Sequence, residues 1–329
     1  MRDHPSLSTL RSEGWIVKKF FIKVCILFVL PVVGIGIIIF IPLPENSYDL
    51  SIIDKHCILA NTKSPKIVLA GGSNLAFGID SSAIQNSLHI PTVNTGVHAG
   101  FGLGRMLDDI SRFLHTGDML LIIPEYGHFT SASNGESVAY ELIFDARQYR
   151  LLFSSYYGLP SGLSQYLSMK YNILTQTVIQ PIKQINTQNE NPLVYSRYGF
   201  NEYGDYVKHL AVENQPFVSY ENAGIINTAY LKKFFRLVDN FSKRRITVML
   251  SYPSYEEQSF RNSAALIQEL DMLFRAKENL LVISTPESYC YPAEYFYDTP
   301  YHLNREGRAM RTDQLIRDLQ ESGLLSQSP

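Results

Sequence analysis

From Val24 to Leu43 the chain reads VCILFVLPVVGIGIIIFIPL, twenty residues without a charged side chain. As a helix rising 1.5 Å per residue, that run spans about 30 Å, the hydrocarbon thickness of a bilayer. Pro31, Gly34 and Gly36 are tolerated in a membrane helix, where neighbouring groups satisfy any freed backbone. No other run approaches this length, so the rest of the chain should fold as one body carried on a single anchor. Arg11, Lys18, Lys19 and Lys23 precede the run, whereas Glu45, Asp49 and Asp54 follow it. That asymmetry predicts a cytoplasmic tail (1–19), a transmembrane anchor (20–43), a connector (44–65) and an extracytoplasmic domain (66–329). A cleaved signal peptide is the competing reading. It fits less well, because the run is longer than a signal h-region and no A-x-A-like site follows.

The 29 Lys and Arg against 31 Asp and Glu leave a formal charge of −2, without the basic stripe that nucleic-acid binding requires. Three cysteines make neither a disulfide framework nor a zinc site. With Cys25 inside the anchor, a bridge between Cys57 and Cys290 would tether the connector to the loop before the last helix. No H-x-x-x-H pair or carboxylate cluster has metal-ligand spacing, so no metal is expected. No cofactor is expected either. The P-loop lysine is absent, and Gly100-Phe-Gly102-Leu-Gly104 lacks the spacing of a dinucleotide fingerprint.

Five short segments read as strands buried on both faces: 66–71, 92–97, 118–126, 246–253 and 279–285. Helix-compatible stretches lie between them, as in Leu103–Leu114, where Leu103, Met106, Leu107, Ile110 and Leu114 share one face. This alternation predicts an α/β doubly wound sandwich with five parallel strands, flavodoxin-like in layout. Residues 130–240 form a long insertion between the third and fourth strands.

In such a sheet, ligands sit beyond the carboxyl ends of the strands. Strand one ends in Gly71-Gly72-Ser73-Asn74. A serine there stands at the sheet edge, beside helix N–H groups able to face a developing anion. The plainer reading is that Ser73 caps the helix. A serine nucleophile needs a base, and the base needs an orienting acid. Of eight histidines, His302 in YFYDTPYHLNREG is the best placed. Asp298 precedes it by four residues, and Asn304 can cap the last helix. His98 and His128 follow strands two and three and could also line the cleft.

These residues resemble the blocks of the SGNH (GDSL-type) hydrolase superfamily, over about residues 66–125 and 245–315. Gly71–Asn74 resembles the nucleophile block, implying Ser73 as catalytic serine. Asn94–Gly100 resembles the second block, whose glycine N–H joins the oxyanion hole; that position falls on Ala99 or Gly100. Asp298–Asn304 resembles the closing block, implying Asp298 as orienting acid and His302 as base. The chain departs from the pattern twice. Its Asp–His spacing is four rather than three. Strand three ends Pro124-Glu125-Tyr126-Gly127-His128, without the usual oxyanion asparagine, so the donor is missing, replaced or supplied by Asn74. A stub, one anchor and an outward SGNH-like domain resemble envelope-acylation proteins, the DltD-like proteins of teichoic acid alanylation and the AlgJ/AlgX-like acetyltransferases of exopolysaccharide. The resemblance implies acyl transfer onto or off an envelope polysaccharide, beside a multipass membrane O-acyltransferase as partner.

The insertion carries tyrosines 140, 149, 156, 157, 166, 171, 195, 198, 203 and 206. Tyrosine faces stack on sugar rings, although packing of the insertion against the sheet is the better reading for most of them. Arg197 and Tyr198 there, with Tyr126 and His128 after strand three, are the candidate substrate contacts. Two functions follow: an anchored serine acyltransferase or esterase, or a non-catalytic SGNH-like module that binds glycan or scaffolds an acyltransferase. The serine, acid and histidine favour the first, and the absent third-block asparagine favours the second.

Overall fold

The computed structural model describes residues 7–130, 138–153, 159, 162–175, 194–222 and 224–323. They fall into two units, one of residues 1–42 with 164–188 and one of 43–163 with 189–329. In the first unit, helix α1 (Leu7–Ile39) contains one stretch, Lys18–Ile39, long and apolar enough to cross a membrane. Its side chains Phe20, Leu27, Phe28 and Val32 are exposed, as a span facing lipid requires.

The second unit is an α/β fold built on a five-stranded, wholly parallel sheet. Its strands are β1 (Ile67–Gly71), β2 (Thr92–Asn94), β3 (Met119–Ile123), β4 (Thr247–Leu250) and β6 (Leu281–Val282), in the order β2-β1-β3-β4-β6. A separate two-stranded pair joins β5 (Tyr255–Glu256) to β7 (Cys290–Tyr291). Every residue of β1 and β3 is buried, because side chains on both faces meet apolar neighbours. Val68, Ala70, Leu120 and Ile122 enter one core with α5 (Leu103–Ile110), α7 (Thr228–Lys243) and α9 (Ala264–Arg275). Ile67, Leu69, Leu121 and Ile123 enter another with Ile84 of α4 (Ser81–Leu88) and Leu315 and Leu319 of α10 (Arg305–Glu321). The five strand segments expected from the sequence contain these five strands, each shorter at one or both ends.

Residues 44–65, expected as a connector, instead contribute to the core. Helix α2 (Ser51–Asn61) buries Ile52 and Leu59, one face of a helix, and the preceding turn buries Tyr48. Lys55 on the same helix is buried, with its ammonium donating to the backbone carbonyls of Asn94 and Gly204. Burial lowers its pKa to about 7. The bridge considered between Cys57 and Cys290 is not formed; both are free thiols. Cys57 lies on the exposed side of α2, opposite the face that packs, and Cys290 begins β7.

The last helix is set firmly on the sheet. Asn304 caps α10 by accepting the Gly307 N–H at 3.1 Å. Arg308 donates to the Ile79 carbonyl at 2.6 Å, and Arg311 to that of Tyr252 at 2.7 Å. The Arg311 guanidinium also stacks 3.3 Å over the Tyr289 ring. This fixes the loop just before α10, which holds Asp298 and His302.

Candidate active site

Ser73 opens the short helix α3 (Ser73–Gly78) directly after β1, and it is half-buried. The backbone around it is crowded. A Cβ on Gly72 would lie 2.7 Å from Glu125 Oε1 and 2.9 Å from Ala99 Cβ. A Cβ on Gly96 would lie 2.6 Å from the Gly72 carbonyl oxygen. Glycine at these two positions lets the loops after β1, β2 and β3 converge on Ser73.

Phe77 lies one turn beyond Ser73 on the same helix face. The His302 imidazole stacks on that ring with centroids 4.1 Å apart and planes 9° apart. His302 Nδ1–H donates to Asp298 Oδ1 at 2.7 Å, and Tyr195 donates its hydroxyl to Asp298 Oδ2 at 2.6 Å. The loop bridges the four-residue Asp–His spacing without losing the contact. Burial works to raise the Asp298 pKa. The hydrogen bond and charge of His302, with the Tyr195 hydrogen bond, outweigh it and hold the carboxyl below its usual value. The pair thus sets the imidazole tautomer, leaving Nε2 as the nitrogen able to take a proton.

Ser73 Oγ does not hydrogen-bond His302. It donates to Glu125 Oε1 at 3.4 Å, and the same oxygen accepts the Asn74 N–H at 3.3 Å. Glu125 thus stands beside the serine where the resembled family carries an amide donor. Its own backbone N–H is held by His128 Nδ1 at 3.0 Å, and His128 Nε2–H reaches the Ala99 carbonyl at 3.2 Å. Burial lowers the His128 pKa, and a neutral ring with one accepting and one donating nitrogen satisfies both contacts. Burial first, then the charges of Glu125 and Asp298, raise the Tyr220 phenol pKa.

The other expected site residues fall in three places. Of the two oxyanion candidates after β2, Gly100 has its N–H bound to His98 Nδ1 at 2.8 Å, while Ala99 abuts Gly72. Asn74 spends its side-chain amide on the Ile123 carbonyl at 3.2 Å, so its backbone N–H is what faces the site. Tyr126 and His128 are buried behind the loop; the Tyr126 ring packs on Tyr255, with centroids 5.3 Å apart. Arg197 pairs with Asp54 of α2 through two 2.7 Å hydrogen bonds. With the exposed Tyr198 it lines a different cavity of about 490 Å³, shared with Lys55, Phe200 and Glu202. Of the insertion's tyrosines, Tyr140 and Tyr206 are buried, whereas Tyr156 and Tyr157 lie outside the described residues. Among the described residues, no three His, Cys, Asp or Glu side chains gather as metal ligands.

Glu125, Tyr195 and Phe77 were not assigned to the site from the sequence. Glu125 was visible as the residue standing where an asparagine was sought. Tyr195 lies 103 residues from Asp298, and no spacing rule links them. Comparison with known proteins finds no matching family model and no matching curated protein.

Proposed function

We propose that this chain is a membrane-anchored serine acyltransferase or esterase that acts on O-acyl groups of a cell-envelope polysaccharide. The observation that carries the reading is the Asp298–His302 hydrogen bond, with the imidazole laid on Phe77 one turn from Ser73. The parallel sheet with apolar cores on both faces supports reading the domain as a doubly wound SGNH-like sandwich. In this account, Ser73 Oγ rotates from Glu125 to His302 Nε2 as substrate enters, since catalytic hydrogen bonds often tighten only in the complex. Oγ attacks the ester carbonyl, His302 takes its proton and passes it to the leaving alcohol, and Asp298 stabilises the imidazolium. A sugar hydroxyl or water then releases the acyl group by the reverse proton path. The backbone N–H groups of Ser73 and Ala99 face the developing oxyanion.

A second reading, a non-catalytic glycan-binding or scaffolding partner of a membrane O-acyltransferase, is favoured by one specific contact. The Glu125 carboxylate occupies Ser73 Oγ and brings negative charge where an oxyanion would form. Turnover of an acetylated glycan separates the two. Ser73→Ala and His302→Ala should each abolish it, and the double variant should be little worse, because the pair works as a unit. Wild-type turnover by Ser73→Ala would exclude the serine mechanism. The extracytoplasmic placement is tested by alkaline phosphatase fused after residue 60, which should be active; a silent fusion reverses the topology and removes the envelope substrate.

A further inference from the structure

Helix α6 (Leu163–Leu174) has the sequence LSQYLSMKYNIL. At 100° per residue its side chains separate into two arcs. Ser164, Gln165, Ser168 and Asn172 fill one narrow polar sector. Met169, Ile173, Tyr166, Lys170, Leu174, Leu167 and Tyr171 sweep the rest, an apolar arc interrupted only by the lysine. Part of that arc is used within its own unit. Tyr166 donates its hydroxyl to the Ile39 carbonyl at 3.4 Å, and Lys170 donates its ammonium to that of Ile41. Both side chains are buried there, although lysine is seldom buried without an acceptor. The remainder of the arc is only partly covered: Tyr171 is 55 % exposed, and Leu167, Met169, Ile173 and Leu174 are half-buried.

The carbonyls that receive these bonds locate α6. Lys18–Ile39 is 22 residues, about 33 Å of helix, so Ile39–Ile41 is where the span leaves the hydrocarbon. The last carbonyls of a helix have no partner within it, and at that depth water is scarce. A tyrosine and a lysine are the side chains that combine an apolar body with a donor tip at this boundary. We propose that α6 is an interfacial helix, lying in the bilayer surface beside the end of α1. It turns Leu167, Tyr171 and Leu174 into the acyl–headgroup boundary and Ser164, Gln165, Ser168 and Asn172 to water. Its partner is the lipid surface itself, entered to about 5–10 Å on the apolar side. The proposal needs α1 to cross a bilayer and is independent of the acyl chemistry.

The test places single tryptophans in the full chain, reconstituted in phosphatidylcholine–phosphatidylglycerol vesicles, after the only native tryptophan is removed by Trp15→Phe. Lipids brominated near the glycerol end or near the chain terminus quench by depth. Tyr171→Trp should emit to the blue and be quenched more by the shallow bromines. Ser168→Trp should be unquenched, and Leu27→Trp should be quenched more by the deep bromines. Unquenched Tyr171→Trp beside quenched Leu27→Trp would overturn the interfacial helix. Equal quenching at positions 168 and 171 would overturn its orientation. Unquenched Leu27→Trp would instead remove the anchor on which the proposal stands.

Discussion

The His302 imidazole lies flat on the Phe77 ring, 4.1 Å between centroids, while its Nδ1 is held by Asp298 at 2.7 Å. One contact fixes the plane of the ring and the other its rotation, so Nε2 has a single direction in which to point. Both partners come from elements that the fold holds rigidly, α3 under β1 and the loop clamped by α10. Under the proposed mechanism, preorganisation of this kind is what would make His302 a base for Ser73.

Phe77 is therefore expected to act through His302. Phe77→Ala would open a cavity costing about 3–5 kcal/mol, so leucine is the informative change. Phe77→Leu should leave the chain folded and lower turnover by about tenfold to a hundredfold, the range that small misplacements produce. KM should hardly move. The His302 Nδ1 proton resonance should be sharp in the wild type and broaden in the variant.

His209 gives the fold an acid limit. It is buried, donates from Nε2 to the Leu303 carbonyl at 3.0 Å, and has no partner for Nδ1. Burial lowers its pKa to about 4, against about 6.5 unfolded. The depressed folded value means that its contribution is fully present above about pH 6.5. It is lost progressively as pH falls from about 6.5 through 4, the range in which only the unfolded chain holds the extra proton. The amount is about 3 kcal/mol. Denaturant unfolding at stepped pH should show this loss between pH 6.5 and 4, and His209→Phe should flatten it. An unchanged slope in the variant would assign the acid limit to other groups.

Glu125 is the residue most able to change what the site does. Glu125→Gln keeps its shape but replaces an anionic oxygen beside Ser73 with an amide that can donate. An oxyanion donor is worth about 10²–10³ in kcat, so ester hydrolysis should rise by at least about tenfold. A fall of similar size would show instead that the carboxylate takes part in turnover.

The sheet was legible because β1 and β3 are unbroken apolar runs, such as Ile67–Ala70, that only a two-faced core explains. Ser73, Asp298 and His302 stood out as candidates because Ser73 opens the helix directly after β1 and the other two lie in the loop before α10. Residues 44–65 were not, since Tyr48, Ile52 and Leu59 bury a face too sparse to stand out amid Asp54, Lys55 and His56. Tyr195 and Phe77 join the site through tertiary packing alone. The convergence of Gly72, Ala99 and Glu125 is set by backbone approach, which no side-chain pattern announces.

The central claim is that Ser73 is a nucleophile activated by His302, and covalent labelling tests it most directly. The purified full chain, treated with a fluorophosphonate and analysed by peptide mass spectrometry, should carry the probe on Ser73. His302→Ala should label at least about a hundredfold more slowly, because the base supplies a factor of about 10²–10⁴. A folded sample that leaves Ser73 unmodified, or labels equally fast without His302, would contradict the account and favour the binding partner.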